Sequence, residues 1–311
     1  MKKLLLFCIV LLSGCSVISL QEENDIFGIQ ENKDMMYTQG LTLKYFDSAD
    51  NAPSLLKNTM GLVPSLQVEK TIVPNKYTFE VGQQMYTPDD VWSTGPVYDE
   101  NPYVGLLYAK AGKEEITIDE KKWSNLMIGT TGENSYGGQT QRWFHGILGQ
   151  HKPEGWDNQV DNEVVFMHQS GLEDRDLLVK YKNAKIEQTS GYNLNLGTWN
   201  TSLEIYIAHH FGQGYELFSK SDNDWSWRFY NKPYARVIVR DMTLDGNTFH
   251  KSDVTVEKIP FVYGNRFGVM LEYAGYALDI GVTSQSKVYE EQDRYWQTWG
   301  GFQVTKLFDL K

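Results

Sequence analysis

Residues 37–46, Tyr37-Thr-Gln-Gly-Leu-Thr-Leu-Lys-Tyr-Phe46, place Leu41, Leu43 and Tyr45 on one face of an extended chain and Thr38, Gly40, Thr42 and Lys44 on the other. Side chains alternate across a strand with a period of two, so the run reads as a strand with one apolar and one polar face. The pattern returns, with breaks, over residues 76–86, 103–110, 125–130, 164–168, 202–210, 236–241, 267–274, 276–282 and 296–308. Strands of about ten residues that are apolar outside, polar inside and aromatic at their ends are the signature of an all-β, transmembrane antiparallel β-barrel. Aromatic side chains reach 14 % of the chain, and tyrosine alone numbers 19. A soluble β-sandwich is the competing architecture, since alternation suits that class as well.

The chain opens MKKLLLFCIVLLSGC, with a basic start at Lys2 and Lys3, an apolar core from Leu4 to Leu12 and a small-residue exit at Ser13-Gly14. That is the pattern of a secretory signal over residues 1–15, too short to span a membrane as a helix. Leu12-Ser13-Gly14-Cys15 also resembles a bacterial lipobox, in which cleavage before Cys15 would leave it lipidated; ordinary cleavage after Cys15 is the rival. Both cysteines, Cys8 and Cys15, lie in this segment, so the mature chain keeps at most one thiol and no internal disulfide. Loss of Lys2 and Lys3 moves the formal charge from −11 to −13, because no acidic residue leaves with them. An acidic chain is a poor match for nucleic acid, and against an anionic lipid surface it would need divalent cations in between.

Beyond the signal no apolar run approaches the length of a transmembrane helix, and no repeat or linker divides residues 16–311, which read as one barrel domain. Signal removal leaves about ten residues before Asp25, which is one membrane-crossing strand running outward. The strand from Tyr37 then returns inward, and those beginning near residues 76, 103 and 121 run out, in and out. The count brings Asn24, Asp25, Thr38 and the connection 132–163 to the outer rim. Ten to twelve strands can be counted, with residues 179–227 ambiguous. The last segment, WGGFQVTKLFDLK, alternates and carries Phe308, but lacks the terminal aromatic residue usual in barrel-assembly signals.

Within the outer connection, GENSYGGQTQRWFHGILGQHKPEGWDNQVDNE, the residues Trp143, Phe144, Ile147 and Leu148 recur at helical spacing. The spacing predicts a short helix with an apolar face, with Gln141 and His145 one turn apart along its edge, and Gly149 and Pro153 stopping it. An imidazole titrates near neutral pH, so His145 is the best general base in the chain; a lone histidine in a loop helix is otherwise a packing or surface residue. Gln141 can orient either the imidazole or an attacking water, or stand as a solvated polar residue. Asp25 offers a carboxylate, Thr38 a hydroxyl, and the carbonyls around Gly40 further oxygens, a set that suits weakly held Ca²⁺. Asn24 can donate to a developing oxyanion, although Asn-Asp at a strand end is more commonly turn chemistry. Strict alternation puts Asn24 and Asp25 on opposite faces, so both join one site only if the strand ends or bulges there. Trp156 reads either as an anchor of this connection or as a membrane-interface tryptophan.

Other chemistries find no motif. There is no G-x-S-x-G elbow, no H-E-x-x-H, no P-loop and no dinucleotide fingerprint. His209-His210 are neighbours in a strand and should point to opposite faces. Asp89-Asp90 and Glu114-Glu115 read as solvated loop and turn charges.

Taken together, Glu23-Asn24-Asp25, Tyr37-Thr38-Gln39-Gly40, Gly82-Gln83-Gln84-Met85-Tyr86-Thr87-Pro88, Pro102-Tyr103-Val104-Gly105, and Gln141-x-x-x-His145 followed by Gly155-Trp156-Asp157-Asn158-Gln159 resemble the outer-membrane lipid A 3′-O-deacylases. Leu244-Asp245-Gly246-Asn247 and the alternating C-terminus extend the resemblance over nearly the whole mature chain. Each motif alone is unspecific; their order and spacing together are not. The resemblance implies a twelve-stranded barrel with short loop helices outside, a monomer, Ca²⁺ dependence, and hydrolysis of an acyl ester of lipid A in the outer leaflet of the bacterial outer membrane. It implies His145 as the base and a functional role for Gln141; Asp25, Thr38 and Gly40 remain the expected ligands of the ion, and Asn24 the expected donor to the oxyanion. An electrophilic lysine of the family finds no match here: Gln83 and Gln84 occupy the outer end of the third strand, and Glu133 stands where the family tends to have proline. A non-catalytic barrel, channel or adhesion scaffold, and an outer-membrane phospholipase with a serine nucleophile are the alternatives.

Overall fold

The computed structural model describes residues 17–28, 36–64, 76–218 and 225–306. The signal reading, with Cys15, and Phe308 at the C-terminus lie outside them. Twelve strands follow one another around a single closed ring: β1 (Val17–Asn24), β2 (Met36–Ser48), β3 (Lys76–Thr87), β4 (Val104–Ile116), β5 (Glu120–Thr131), β6 (Val164–Tyr181), β7 (Ala184–Gly197), β8 (Asn200–Gln213), β9 (Trp225–Asp241), β10 (Phe261–Tyr273), β11 (Tyr276–Ser286) and β12 (Trp296–Lys306). Every neighbouring pair is antiparallel, and β1 closes the ring by pairing with both β2 and β12. One ring with no second sheet excludes the β-sandwich. Of the ambiguous stretch 179–227, the described residues form the end of β6, a tight turn at Lys182 with φ +54°, the strands β7 and β8 and the start of β9, while 219–224 lie outside them. Its alternation was weak because β7 turns Gly191, Asn193 and Asn195 inward, and its lower outward positions, Gln188 and Ser190, are polar too.

Alternation then sorts the side chains. Leu20, Leu41, Leu107, Ile128, Phe166 and Ile205 are exposed on the outer wall, as a lipid-facing belt requires. Charged residues turn inward and pair. Glu114 meets Lys44 at 3.3 Å and Lys121 at 3.5 Å, Lys110 meets Glu80 at 2.7 Å, and Arg266 meets Glu23 at 3.1 Å. Glu114 is therefore no solvated turn charge: β4 runs on to Ile116, which puts this carboxylate inside the barrel between two ammonium groups, while Glu115 faces outward. His209 and His210 do face opposite ways, with His210 buried beside the Thr189 hydroxyl.

Two helices finish the barrel. Helix α1 (Ser54–Thr59) lies at the rim that holds the strand termini, where Leu56, Met60 and Val63 pack with Phe79, Ala111 and Leu126. The opposite rim carries the long connections 88–103, 132–163 and 242–260, the arrangement a bacterial barrel shows at its exterior end. There Met242, which opens a single helical turn (Met242–Asp245), sits fully buried with Val104, Leu106, Val165 and Trp199, an apolar cluster that narrows the lumen at this rim.

A closed ring leaves no strand edge open, so the folded barrel is expected to migrate apart from its heat-denatured form on gels, with mostly β circular dichroism in detergent. Glu114→Ala leaves Lys44 and Lys121 facing each other across a missing carboxylate. It should destabilise the fold by about 3 kcal/mol, the cost of breaking a buried pair, read as a lower temperature for converting the folded band.

Candidate active site

Strand β1 stops at Asn24, and the chain turns at once into a 3₁₀ turn, Asp25–Phe27. The Asn24 side chain caps that turn, its Oδ1 accepting the Ile26 N–H at 2.9 Å. This answers the alternation difficulty: Asp25 is no longer in the strand, and Asn24 keeps Nδ2, a donor, once its oxygen is engaged. The Gly28 N–H returns to the Asp25 carbonyl at 2.8 Å. A side chain on Gly28 would run into the Thr298 carbonyl of β12, so only glycine lets the turn press this closely on the wall.

On β2 the register shifts between Tyr37 and Gln39. Tyr37 hydrogen-bonds Glu23 in the lumen at 2.9 Å, and Thr38, displaced by the bulge, is buried with its hydroxyl 2.8 Å from that of Thr87. Gln39 returns to the outer face, where its Nε2 donates to Glu22 at 2.9 Å. Gly40 lies within the strand ladder. It pairs with Glu23 on one side and Gln84 on the other, inside the ladder, and its α-carbon lies under the Tyr37 ring.

The predicted helix is α2 (Gly137–Leu148), but it lies with its faces reversed. Its buried residues are Gly137, Gly138, Gln141 and His145, and its apolar side chains face out. Gly137 and Gly138 bring the helix down onto Trp156: a Cβ on Gly138 would meet the indole Cγ at 2.8 Å, and one on Gly137 would come 3.2 Å from the α-carbon of Gly105 on β4. Gln83, on the outer face of β3, donates to the Ser135 carbonyl at 2.7 Å. The helix thus sits on the outside of the barrel wall, over β3 and β4. Trp156 is the anchor rather than an interface residue: it is 1 % exposed, packs on Tyr103, and its Nε1 donates to Gln141 Oε1 at 2.7 Å. An indole can only donate, so the Gln141 oxygen is the atom it holds.

After Gly149, with φ +66°, the chain doubles back, and His145 Nδ1 donates to the His151 carbonyl. A carbonyl accepts and cannot donate. The bond therefore fixes the tautomer with the proton on Nδ1 and the lone pair on Nε2. His145 and Asp25 line the same cleft of about 440 Å³, together with Asp89, Asp90, Glu100 and His151. The Trp92 ring stacks on His151 at 3.4 Å between centroids. Asp89 and Asp90, expected as loop charges, both line the cleft: Asp90 accepts from the Trp92 and Ser93 N–H groups, and Glu100 ties the Asp89 backbone at 2.7 Å. Sequence reading missed Asp89, Glu100 and His151. The motif ending at Pro88 stopped one residue short of the first, and the last two join the cleft only through folded loops.

The connection 132–163 is clamped at its end by the segment Leu244-Asp245-Gly246-Asn247. Asn247 exchanges hydrogen bonds with the Asp161 backbone at 2.9 and 3.0 Å, and the Thr248 and Phe249 N–H groups donate to the Glu163 carboxylate. Burial acts to raise the Glu163 pKa, and these donors outweigh it, holding the group below its ordinary value of 4.5.

The family model for the outer membrane protein LpxR matches residues 4–308. This chain belongs to the LpxR outer-membrane protein family. LpxR from Salmonella typhimurium is similar in structure, with a TM-score of 0.76 at 16 % identity over 94 % of this chain and 100 % of that one. The translocator domain of autotransporter NalP from Neisseria meningitidis, another barrel, reaches a TM-score of 0.44 at 11 % identity, covering 99 % of this chain and 94 % of that one. No curated protein matches the chain. Family and barrel together place the protein in the outer membrane, and twelve antiparallel strands are the observed number.

Trp156→Phe keeps the ring and removes the donor to Gln141. It should cost about 1–3 kcal/mol, the penalty of an unsatisfied buried acceptor, and hydrogen exchange should rise over residues 137–148 while the barrel strands stay protected. The Glu163 clamp has a pH signature. A carboxylate with a depressed folded pKa contributes stability that is complete above 4.5 and is lost as pH falls through the folded value. Proteolysis of the 132–163 connection should therefore accelerate only below that pH in the wild type, and Glu163→Gln should be cut readily at neutral pH.

Proposed function

We propose that this protein hydrolyses the 3′ acyl ester of lipid A from the outer face of the outer membrane, using a histidine-activated water and Ca²⁺. The observation that carries the reading is the meeting of Asp25 and His145, 120 residues apart in sequence, on the walls of one cleft outside the barrel. His145 Nε2 takes a proton from water, whose oxygen forms a bond to the ester carbonyl carbon. The Asn24 amide nitrogen donates to the oxygen that becomes negative. Collapse of the tetrahedral species breaks the bond to the sugar oxygen, which receives the proton from His145, releasing a carboxylic acid and a free hydroxyl. No covalent acyl-enzyme is needed. Gln141, held by Trp156 one turn from His145, positions the base.

The lining fits a hard cation in kind, since Asp25, Asp89, Asp90 and Glu100 all offer oxygen. Among the described residues no three Asp, Glu, His or Cys side chains converge. Asp25 would thus hold a Ca²⁺ weakly, with water and substrate oxygens completing the shell, and the ion would supply Lewis-acid polarisation of the ester carbonyl. Thr38 sits beside Thr87 as a further hydroxyl near the head of β2.

The alternatives fare less well. A channel would need a continuous open lumen, and this one is crossed by paired charges and narrowed at the exterior rim by the buried cluster around Met242. A serine mechanism would have to use Ser124, whose Oγ lies 3.0 Å from His168 Nε2 on the outer wall. Ser124 stands seven residues down β5 from Thr131, about 23 Å along the strand from the α2 connection. The pair satisfies two polar groups on a lipid-facing surface, which that surface demands in any case.

The test is acyl release from lipid A by purified, folded protein. His145→Ala should lower turnover by about 10²-fold or more at every Ca²⁺ concentration. Asp25→Ala should raise the Ca²⁺ needed, chelation should silence the wild type, and Ser124→Ala should behave as wild type. Full activity of His145→Ala, or indifference to a chelator, would return the non-catalytic barrel to first place.

A further inference from the structure

A surface helix in water turns its apolar face to the protein and its polar face out. Helix α2 does the opposite. Gln141 and His145 are buried against the wall, while Trp143, Ile147 and Leu148 are 65 %, 61 % and 48 % exposed. The helix lies outside the wall, over β3 and β4, and not across the barrel mouth. The strands beneath and beside it carry Val81, Leu107, Ile128 and Phe166, all exposed on the outer wall. The outward face of α2 thus continues a surface whose surroundings are already acyl chains, and contiguous apolar area of this kind marks a membrane contact.

We propose that α2 is immersed in the outer leaflet, its Trp143, Ile147 and Leu148 side chains lying among lipid acyl chains, so that the cleft behind it is entered sideways from the bilayer. The entry route rests on the esterase reading; the immersion does not. In this arrangement a lipid ester reaches His145 without leaving the leaflet, and the polar groups on the buried face of the helix meet only the wall and the substrate. The helix serves as a floating outer wall of the cleft.

The test uses the full-length barrel in vesicles of phosphatidylcholine and phosphatidylglycerol, with Cys15→Ser and a fluorophore on Ile147→Cys. Phe166→Cys marks the lipid belt and Lys251→Cys the aqueous rim. The label at 147 should be quenched by acyl-chain nitroxide lipids and shielded from aqueous iodide, matching position 166. Iodide quenching equal to that at position 251 would overturn the proposal, as would protection accompanied by cross-linking between copies, which would make the face a dimer contact. A second arm compares substrates. Trp143→Ser with Ile147→Ser should lose about tenfold or more in acyl release from lipid A in vesicles, and keep its rate on a water-soluble short-chain ester. Equal rates on both substrates would sink sideways entry. If the esterase reading itself fails, no substrate turns over while the quenching result still stands.

Discussion

Hydrocarbon offers no hydrogen-bond partner, and the rest of this protein follows from that. Each backbone N–H and C=O within the bilayer must be satisfied by another strand, so the chain closes through the β1–β12 pair and every strand has two neighbours. Closure divides the side chains into two sets with different rules. Those facing out along the lipid belt are mostly apolar, and those facing in can be charged only if paired, as Glu114 is with Lys44 and Lys121 and Glu23 is with Arg266. The same closure leaves little freedom for a site. A regular ladder presents side chains at fixed spacing to one face or the other, so chemistry has to be built where the ladder is broken.

Three breaks interrupt the ladder at the exterior rim. The end of β1 frees Asp25 from the strand while Asn24 stays to cap the turn. The bulge in β2 removes Thr38 from the alternation that sends Tyr37 into the lumen. The connection after β5 folds back over the outer wall and lowers α2 onto Trp156 through a pair of glycines. Each break has a partner that rigidifies it: Thr298 against Gly28, Thr87 against Thr38, and Asn247 with Thr248 and Phe249 against the end of the 132–163 connection. The His151 carbonyl, by accepting from His145 Nδ1, holds the imidazole in one orientation.

The membrane also explains why the helix reads backwards. In the sequence, Trp143, Phe144, Ile147 and Leu148 mark an apolar face, and the ordinary inference is that this face packs on protein. Here Trp143, Ile147 and Leu148 point away from the wall, and the buried side carries Gln141 and His145. Hydrophobic periodicity identifies which residues leave water. It does not say whether they enter a protein core or a lipid leaflet.

The sequence by itself determined the barrel, because a period of two repeated around a ring of about ten-residue segments has few other uses. It also determined which rim would carry Asn24, Asp25, Thr38, Gln141 and His145, since strand parity alone assigns each to one end. It was silent on β7, whose inward Asn and Gly and outward Gln188 and Ser190 blur the contrast between faces. It misread Glu114, because alternation faded before the strand ended. What only the tertiary structure decided is how the rim residues meet. Asp25 and His145 come from segments 120 residues apart, and their shared cleft exists because a 3₁₀ turn, the 89–100 loop and a glycine-seated helix meet there. Asp89, Glu100 and His151 enter that cleft from loops with no period to read, and loop positions are set by the contacts they make after folding, which no local pattern in the chain records.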